Sequence, residues 1–301
     1  MIDRLMEKIE QMKNPSVVGL DPTYEMIPSK IKSEMLKRFG KTPKAVAEMI
    51  IAFNTELINC IHDVAPAVKP QIAMYEKYGL EGVRAYVATT EYAKQKGMIV
   101  IGDIKRGDIA STAEAYAAHI AGITIEGEPF DLWHEDAVTL NPYLGFDGIE
   151  PFIKPCIQQD KGLFILVKTS NPSSGQLQDI DASGMTVYER MAELVDEWGK
   201  LAMGTSGYSK IGAVVGATYK EQGEALRQKM PHTFFLVPGY GAQGGKGSDL
   251  KGFFDREGRG CIVNSSRGII AAYKANGKLG EDRFGEAARE AALKMREDLR
   301  F

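Results

Sequence analysis

The sequence has 301 residues, of which 44% are hydrophobic and 26% charged, a composition typical of a globular protein with a large buried core. Its 37 basic and 40 acidic side chains leave a net charge of −3, without the basic field that nucleic-acid binding needs. No apolar run approaches the ~20 residues of a membrane span. The three cysteines are far apart and lack C-x-x-C spacing, so we expect no disulfide, no zinc site and a cytoplasmic location.

The elements predicted along the chain alternate between strands and helices. A helix is expected first, over residues 2–12, and it lacks the apolar core of a signal peptide. Eight short apolar or β-branched runs predict strands at 16–21, 64–70, 98–105, 137–141, 163–170, 211–217, 233–239 and 261–265. Amphipathic stretches predict helices at 43–61, 82–96, 109–121, 186–203, 220–229 and 284–299.

Eight strands that alternate with helices indicate a parallel sheet closed into a (β/α)8 TIM barrel. No linker or change of composition divides the chain, so we expect residues 1–301 to form a single domain. An open, doubly wound sheet is the alternative that periodicity leaves open. The stretch 171–184, rich in Ser, Gly, Asp and Gln, is the longest expected segment without secondary structure. Such loops either cover a functional site or are simply solvated.

The third predicted strand ends in charged residues. Strand alternation places Ile99, Ile101, Asp103 and Lys105 on one face, so Asp103 and Lys105 are expected side by side at its carboxyl end. TIM-barrel enzymes have their active sites at this end of the strands. Asp108 follows in the loop that opens the next helix. The alternative interpretation of the pair is a salt bridge that merely closes a strand end.

Two other predicted strands also end in a charge, the first in Asp21 and the second near Lys69. A barrel would gather these side chains with Asp103 and Lys105, and buried charges persist only where they are paired. At ~4 Å each contact is worth ~4 kcal/mol at an effective dielectric of ~20. An ammonium held in this way stays protonated and can donate a proton.

Residues 239–244 read G-x-G-x-x-G after a strand, which is the pattern of a dinucleotide-binding loop. The pattern comes late in the chain, however, and residues 245–249 do not open an apolar helix. We therefore favour a phosphate-binding loop, because TIM barrels use the loops after the seventh and eighth strands for that purpose. Arg267 follows the eighth strand, and its planar guanidinium suits a phosphate better than a surface salt bridge.

Other chemistries receive little support from the sequence. The four histidines show no spacing of metal ligands, so no metal site is predicted. No G-x-S-x-G motif is present, and Ser170 has no suitably placed histidine partner. Acyl transfer is therefore not expected.

The string Asp103-Ile-Lys105-Arg-Gly-Asp108-Ile109, followed by Thr112, resembles the signature of the orotidine 5′-phosphate decarboxylase family. The shorter pattern D-x-K-x-x-D is shared with sugar-phosphate decarboxylases and aldolases of the same superfamily. The order of other segments is also similar to the family: 19–21, 68–70, 169–171, 238–245 and 264–267. The resemblance covers essentially the whole chain and is closer to the longer-chain branch.

The resemblance implies decarboxylation of orotidine 5′-phosphate to UMP, the last step of de novo UMP synthesis, without metal or cofactor. It makes Lys105 the proton donor to a C6 carbanion and places Asp103 against the departing carboxylate. The remaining roles implied are catalysis by Lys69 and Asp108, ribose binding by Asp21, Lys69 and Thr112, base binding by Ser170, and phosphate binding by Gln243, Gly244 and Arg267.

The family pairs two barrels face to face, so the resemblance also implies a homodimer in which Asp108 and Thr112 reach the neighbouring site. Loops at 122–135 and 171–184 depart from the shorter-chain branch. Two alternatives remain: a Mg2+-dependent keto-sugar-phosphate decarboxylase or aldolase, and a non-catalytic barrel that binds a phosphate ligand. The sequence indicates no role for Arg106.

Overall fold

The computed structural model describes residues 1–241, 246–275 and 279–300. The described strands, numbered in chain order, are β1 Ser16–Leu20, β2 Ala67–Pro70, β3 Ile99–Arg106, β4 Ile123–Ile125, β5 Glu128–Phe130, β6 Ala137–Leu140, β7 Gly162–Lys168, β8 Ile211–Val215, β9 Phe235–Val237 and β10 Cys261–Ser265. Eight of them form a closed barrel in the order β1-β10-β9-β8-β7-β6-β3-β2, and every pairing is parallel. The TIM-barrel prediction is therefore confirmed, and the open sheet is wrong.

Helices pack around the barrel and connect its strands. The described α-helices are α1 Ile2–Met12, α2 Ser29–Phe39, α3 Pro43–Ile61, α4 Ala73–Glu76, α5 Gly79–Gln95, α6 Ala110–Ala121, α7 Glu150–Gln158, α8 Gly175–Gln178, α9 Val187–Gly199, α10 Lys220–Lys229, α11 Arg267–Ile270, α12 Ala272–Ala275 and α13 Phe284–Asp298. The start of α9 illustrates how local sequence fixes a boundary, because Thr186 and Glu189 form a capping box there. That the whole chain forms one domain stays a prediction.

Both long loops contain secondary structure that periodicity did not indicate. In the first, β4 and β5 pair as a short antiparallel hairpin. In the second, a 3-10 turn at Pro172–Ser174 leads directly into α8. The expectation that 171–184 lacks secondary structure is therefore wrong. These elements are shorter than the windows over which helical or strand periodicity can be recognised.

The barrel interior is an apolar layer that α1 closes at the amino ends of the strands. The inward side chains from the strands are Val17, Ala67, Ile99, Ile101, Ala137, Phe164, Val214, Leu236 and Ile262. Ile2, Leu5 and Met6 of α1 belong to the same cluster, and the Met1 side chain lies against Gly162 at the start of β7. The polar residues described below lie at the opposite end of the barrel, at the carboxyl ends of the strands.

Arg227 of α10 joins several elements on the outside of β9 and β10. Its side chain is buried, and the guanidinium lies 3.8 Å from the centre of the Phe235 ring. The guanidinium donates to four backbone carbonyls, at distances of 2.8 to 3.0 Å, on Phe253, Met230, Thr233 and Gly260. Backbone N–H groups also donate to the carbonyls of Met230 and Gly260, so the guanidinium adds a second hydrogen bond at these two positions.

We expect Arg227→Met to lower the free energy of unfolding by about 3 kcal/mol or more, because four buried carbonyls each lose a hydrogen bond from a charged donor. Urea unfolding at one protein concentration would measure the change. The matched control is Lys229→Met on the same helix, whose Nζ pairs with Glu189 at the surface and should matter by less than about 1 kcal/mol. Equal losses in the two variants would contradict the prediction.

Candidate active site

The carboxylate of Asp103, near the end of β3, lies between two lysine ammoniums. Lys69 Nζ is 2.6 Å from Oδ2, and Lys105 Nζ is 2.5 Å from Oδ1. Lys69 and Asp103 are buried, at 4% and 6% exposure, whereas the Lys105 side chain is 44% exposed. The predicted cluster of strand-end charges therefore forms, with one lysine enclosed and the other facing open space.

The electrostatics of this cluster follow from burial and from the pairing of opposite charges. Burial alone would raise the pKa of Asp103, but the ammoniums of Lys69 and Lys105 outweigh it and hold that pKa well below its usual value. For Lys69, burial lowers the pKa, and the carboxylates of Asp103 and Asp21 more than reverse this effect and raise it. Both groups of the buried pair are therefore charged at neutral pH.

Two neutral side chains complete the coordination of Asp103, and the sequence reasoning did not single out either. Gln71 Nε2 donates to Oδ2 at 3.0 Å, and the Thr139 hydroxyl donates to Oδ1 at 2.9 Å. Strand phase could have indicated Thr139, because Ala137, two residues earlier on β6, points into the barrel. Gln71 follows the end of β2. The only indication in the sequence that it lies at the site is that Lys69 is two residues before it.

The strand alternation that predicted the Asp103–Lys105 pair is not continuous. The register of β3 against β6 shifts between Gly102 and Arg106, and Lys105 has a left-handed backbone with φ of 46°. The two charged side chains do meet, but a bulge brings them together rather than an uninterrupted strand.

Two adjoining cavities open at the carboxyl ends of the strands. They have volumes of about 420 and 370 Å3 and share Lys69, Asp103, Ser170 and Pro238 as lining residues. The larger cavity extends to Asp21, Asn264 and Arg267, and the smaller one extends to Lys105, Thr139 and Asn171. Together they form a space with a cationic side chain towards each end, Arg267 in one direction and Lys105 in the other.

Two residues that line the larger cavity carry polar atoms without partners among the described residues. Oδ1 of Asp21 and Oδ1 of Asn264 are both buried and accept no hydrogen bond within the described part of the chain. Buried acceptors normally have donors, so these two are suited to hydroxyl or amide groups of a ligand. Asn264 belongs to a segment that contributed to the family resemblance, but the sequence reasoning gave it no role.

The predicted phosphate-binding residues are only partly described. Arg267 lies at the start of α11, exposed and lining the larger cavity, and no carboxylate among the described residues pairs with it. Gln243 and Gly244 lie outside the described residues. Ser170, predicted to contact the base, lines both cavities. An arginine that lines the same cavity as Gly239 has the chemistry that an anionic group requires.

Among the predicted site residues that the structure describes, Asp108 and Thr112 line neither cavity. Asp108 is half-buried and its carboxylate accepts from the backbone N–H of Ile109, while Thr112 is exposed on α6. Apolar side chains are exposed in the same loops after β3 and β6, with Ile109 at 49% and Tyr143 at 77%. Within one chain, these two predicted residues therefore stand beside the site rather than in it.

The segment after β7 is fastened to the barrel at several points. Lys168 is buried, pairs with Asp179 at 2.6 Å and lies 4.7 Å from the centre of the Tyr219 ring. Gln178 accepts from the backbone N–H of Thr169 and donates to its hydroxyl. These bonds tie the two residues before Ser170 to the segment that was expected either to cover the site or to be solvated, so this segment also helps to position a lining residue.

Arg106, for which the sequence indicated no role, ties β3 to the surrounding helices. Its guanidinium pairs with Glu76 at 2.5 Å and lies 5.6 Å from the centre of the Tyr116 ring. Elsewhere, no group of three or more His, Cys, Asp or Glu side chains in the described ranges is arranged to hold a metal ion. Among the described helices, none combines the length and the apolar character needed to cross a membrane.

We expect Asp103→Asn to destabilise the fold by about 3 kcal/mol or more, because the buried Lys69 ammonium loses its nearest anion. The folded pKa of Asp103 lies below the ordinary 3.8, so its stabilisation is complete above that pH and is lost as pH falls further. The difference in urea midpoint between the native chain and the variant should therefore be full at pH 7 and 5 and should shrink progressively as the pH falls below about 4. A second variant, Lys69→Met with Asp103→Asn, should recover stability; a constant gap at every pH would contradict the assignment.

Comparisons with known proteins agree with the geometry. A model described as the Orotidine 5'-phosphate decarboxylase / HUMPS family matches residues 16–279. The orotidine 5′-phosphate decarboxylase of Clostridium acetobutylicum is 45% identical over 302 residues, covering 100% of this chain and 99% of that protein. That of Rhodopirellula baltica is 42% identical, covering 94% and 93%. The solved OMP decarboxylase of Leishmania donovani superimposes with a TM-score of 0.74 at 29% identity, covering 99% and 98%. The predicted resemblance is confirmed.

Proposed function

Because this chain belongs to the orotidine 5′-phosphate decarboxylase / HUMPS family, we propose that it decarboxylates orotidine 5′-phosphate to UMP. The prediction of a decarboxylase, a carbon-carbon lyase, agrees with relatives of that name over the full chain. The observation that carries the proposal is the buried Asp103 carboxylate between Lys69 and Lys105 at the carboxyl ends of the strands. Binding a phosphate ligand alone would not require a buried charge pair at the cost of its desolvation.

The proposed reaction uses the exposed ammonium of Lys105 as the proton donor. The bond between C6 of the base and its carboxylate breaks, CO2 leaves, and the electron pair remains on C6. The Lys105 ammonium stabilises this carbanion electrostatically and then transfers a proton to C6, after which the lysine takes a proton from water. Asp103 keeps the ammonium in place through its contact with Nζ and also faces the departing carboxylate.

The substrate's other groups are assigned to the larger cavity. Arg267, with Gln243 and Gly244 of the glycine-rich loop, takes the phosphate, since a guanidinium can donate two parallel hydrogen bonds to it. Asp21 and Lys69 take ribose hydroxyls, for which the unpartnered Oδ1 of Asp21 supplies an acceptor. Ser170 takes the edge of the base. The two unlike ends of the combined cavity support this orientation.

The first test is the loss of absorbance of orotidine 5′-phosphate with EDTA present. We expect rapid conversion to UMP by the native chain and a fall in kcat of at least about 100-fold in both Lys105→Ala and Lys105→Arg. Arginine keeps the charge but does not release its proton, so it separates electrostatic stabilisation from proton transfer. Lys41→Ala, at an exposed lysine, is the control and should equal the native chain.

Other outcomes of this assay would redirect the assignment. Turnover by Lys105→Arg at the native rate would show that another group delivers the proton. Activity that EDTA abolishes, or that appears only with keto-sugar phosphates and Mg2+, would favour the alternative reaction of the superfamily. No turnover with either substrate would favour a barrel that binds a phosphate ligand without catalysis.

We further propose that the active form is a homodimer and that Asp108 and Thr112 serve the site of the partner subunit. Both residues lie beside the cavities of their own chain without lining them. Ile109, next to Asp108, and Tyr143, in the loop after β6, expose apolar surface of the kind that subunit interfaces cover. A carboxylate from the partner would add a negative charge near the exposed Lys105 ammonium.

Mixed dimers test the shared site directly. Lys105→Ala and Asp108→Ala should each be inactive alone, but a refolded mixture should recover about a quarter of the native activity, because half of the dimers then contain one intact site. In the control, Lys105→Ala mixed with Lys69→Ala should recover no activity. Each chain supplies both lysines to its own site, so no mixed dimer of these variants contains an intact site. Failure of the first mixture, with dimers present, would place Asp108 in its own site.

The cytoplasmic location belongs to the same proposal and rests on the cysteines. Cys60, Cys156 and Cys261 are all unpaired thiols. Burial raises the pKa of Cys156 and of Cys261 to about 12, so neither is a reactive thiolate at neutral pH. A chain with free, unreactive thiols is typical of a reducing compartment.

A further inference from the structure

The backbone around Lys105 departs from the regular barrel ladder. Gly102 of β3 lies opposite Val138 of β6, and Arg106 lies opposite Leu140. Three residues of β3, Asp103 to Lys105, therefore lie across the single residue Thr139. Bulges of this kind bend a strand and redirect its side chains, and they are frequent beside active sites. The regular ladder resumes where the N–H of Asn141 donates to the Arg106 carbonyl at 2.8 Å.

Within the bulge, Lys105 has a left-handed backbone conformation that disfavours residues other than glycine. Its φ is 46°, which for a residue with a Cβ costs on the order of 1–2 kcal/mol. The backbone N–H of Lys105 also takes no part in the hydrogen-bond ladder between β3 and β6. It therefore needs an acceptor other than a backbone carbonyl of β6. The position therefore persists only because neighbouring groups hold it.

Thr139 supplies that partner and binds the catalytic carboxylate at the same time. The hydroxyl Oγ1 accepts the N–H of Lys105 at 3.0 Å and donates its proton to Oδ1 of Asp103 at 2.9 Å. Lys105 Nζ binds the same Oδ1. A hydroxyl has one proton and two lone pairs, so the acceptance of the amide directs the proton towards Asp103. Thr139 thus holds the backbone of Lys105 directly. It also holds the Asp103 carboxylate, which the Lys105 ammonium contacts.

We propose that Thr139 is a positioning residue that holds Lys105 for proton transfer. The proposal rests on the proposed function of Lys105. Thr139 is buried, at 1% exposure, in a strand where valine would pack with the same shape. The branched shape of Thr139 is sufficient for packing in the barrel, so the hydroxyl group is needed only for its two hydrogen bonds. Its removal would free the Lys105 backbone to relax and would leave Oδ1 of Asp103 with the ammonium alone.

The test compares variants that differ in the hydroxyl group. Thr139→Val keeps the shape and removes the hydroxyl, and Thr139→Ser keeps the hydroxyl and removes the methyl group. We expect Thr139→Val to lower kcat by ~10- to 100-fold with KM within about 3-fold of native, as for the loss of a hydrogen bond to a charged group. Thr139→Ser should keep kcat within about 3-fold. If Thr139→Val does not fold, Thr139→Ala against Thr139→Ser gives the same comparison.

Two results would overturn the proposal: a Thr139→Val variant with native kcat, or a Thr139→Ser variant that loses as much as Thr139→Val. A crystal structure of Thr139→Val gives a readout that does not depend on turnover. We expect Lys105 to leave the left-handed region there, and an unchanged Lys105 backbone would also count against the proposal. If the native chain does not turn over orotidine 5′-phosphate, the proposed function fails, while the crystal structure still tests the role of Thr139 in holding Lys105.

Discussion

The buried carboxylate of Asp103 is the interaction on which the rest of the site depends. It receives the ammoniums of Lys69 and Lys105, the amide of Gln71 and the hydroxyl of Thr139. These donors come from the ends of β2, β3 and β6 and from the turn after β2, so one anion joins three adjacent strands. A fully satisfied buried network is rigid, because every displacement would leave a charge or donor without a partner. The two lysines are therefore placed by the same group but differ in access to a ligand.

Glu135 is a second buried acid, behind β3. Its comparison with Asp103 shows how the lysine ammoniums change the pKa of a buried carboxyl group. Glu135 is fully buried and contacts the hydroxyl of Tyr86 and the ring of His119. Burial raises the pKa of Glu135, because these contacts do not offset the loss of water. For Asp103, two lysines reverse the effect of burial. A Cβ on Gly102 would lie 2.1 Å from Glu135 Oε1, so a larger residue at this position of β3 would displace the Glu135 carboxyl group.

The sequence predicted those parts of the site that lie at the carboxyl ends of the strands. The carboxyl ends of parallel strands meet at one end of a barrel, so Asp21, Lys69, Asp103 and Lys105 could be grouped without coordinates. The family resemblance added Thr112 and the expectation that Asp108 and Thr112 serve the partner's site, which strand order alone could not supply. The bulge at Lys105 could not be predicted, because it depends on the register of β3 against β6, which tertiary pairing sets. Thr139 and Gln71 were missed for a related reason: single polar residues at strand ends resemble ordinary solvated ends until their partners are known.

The distribution of charge also explains how a locally neutral cluster can select an anionic ligand. Asp21 and Asp103 balance Lys69 and Lys105 in number, so the cluster itself carries no net attraction for an anion. Selection must then come from exposed cations at defined positions, and these are Lys105 at the smaller cavity and Arg267 at the larger one. An elongated ligand with a negative group at each end can contact both cations, whereas a ligand with one negative group can contact only one of them. The arrangement therefore suits an elongated ligand that is negative at both ends, which agrees with the proposed substrate and its proposed orientation.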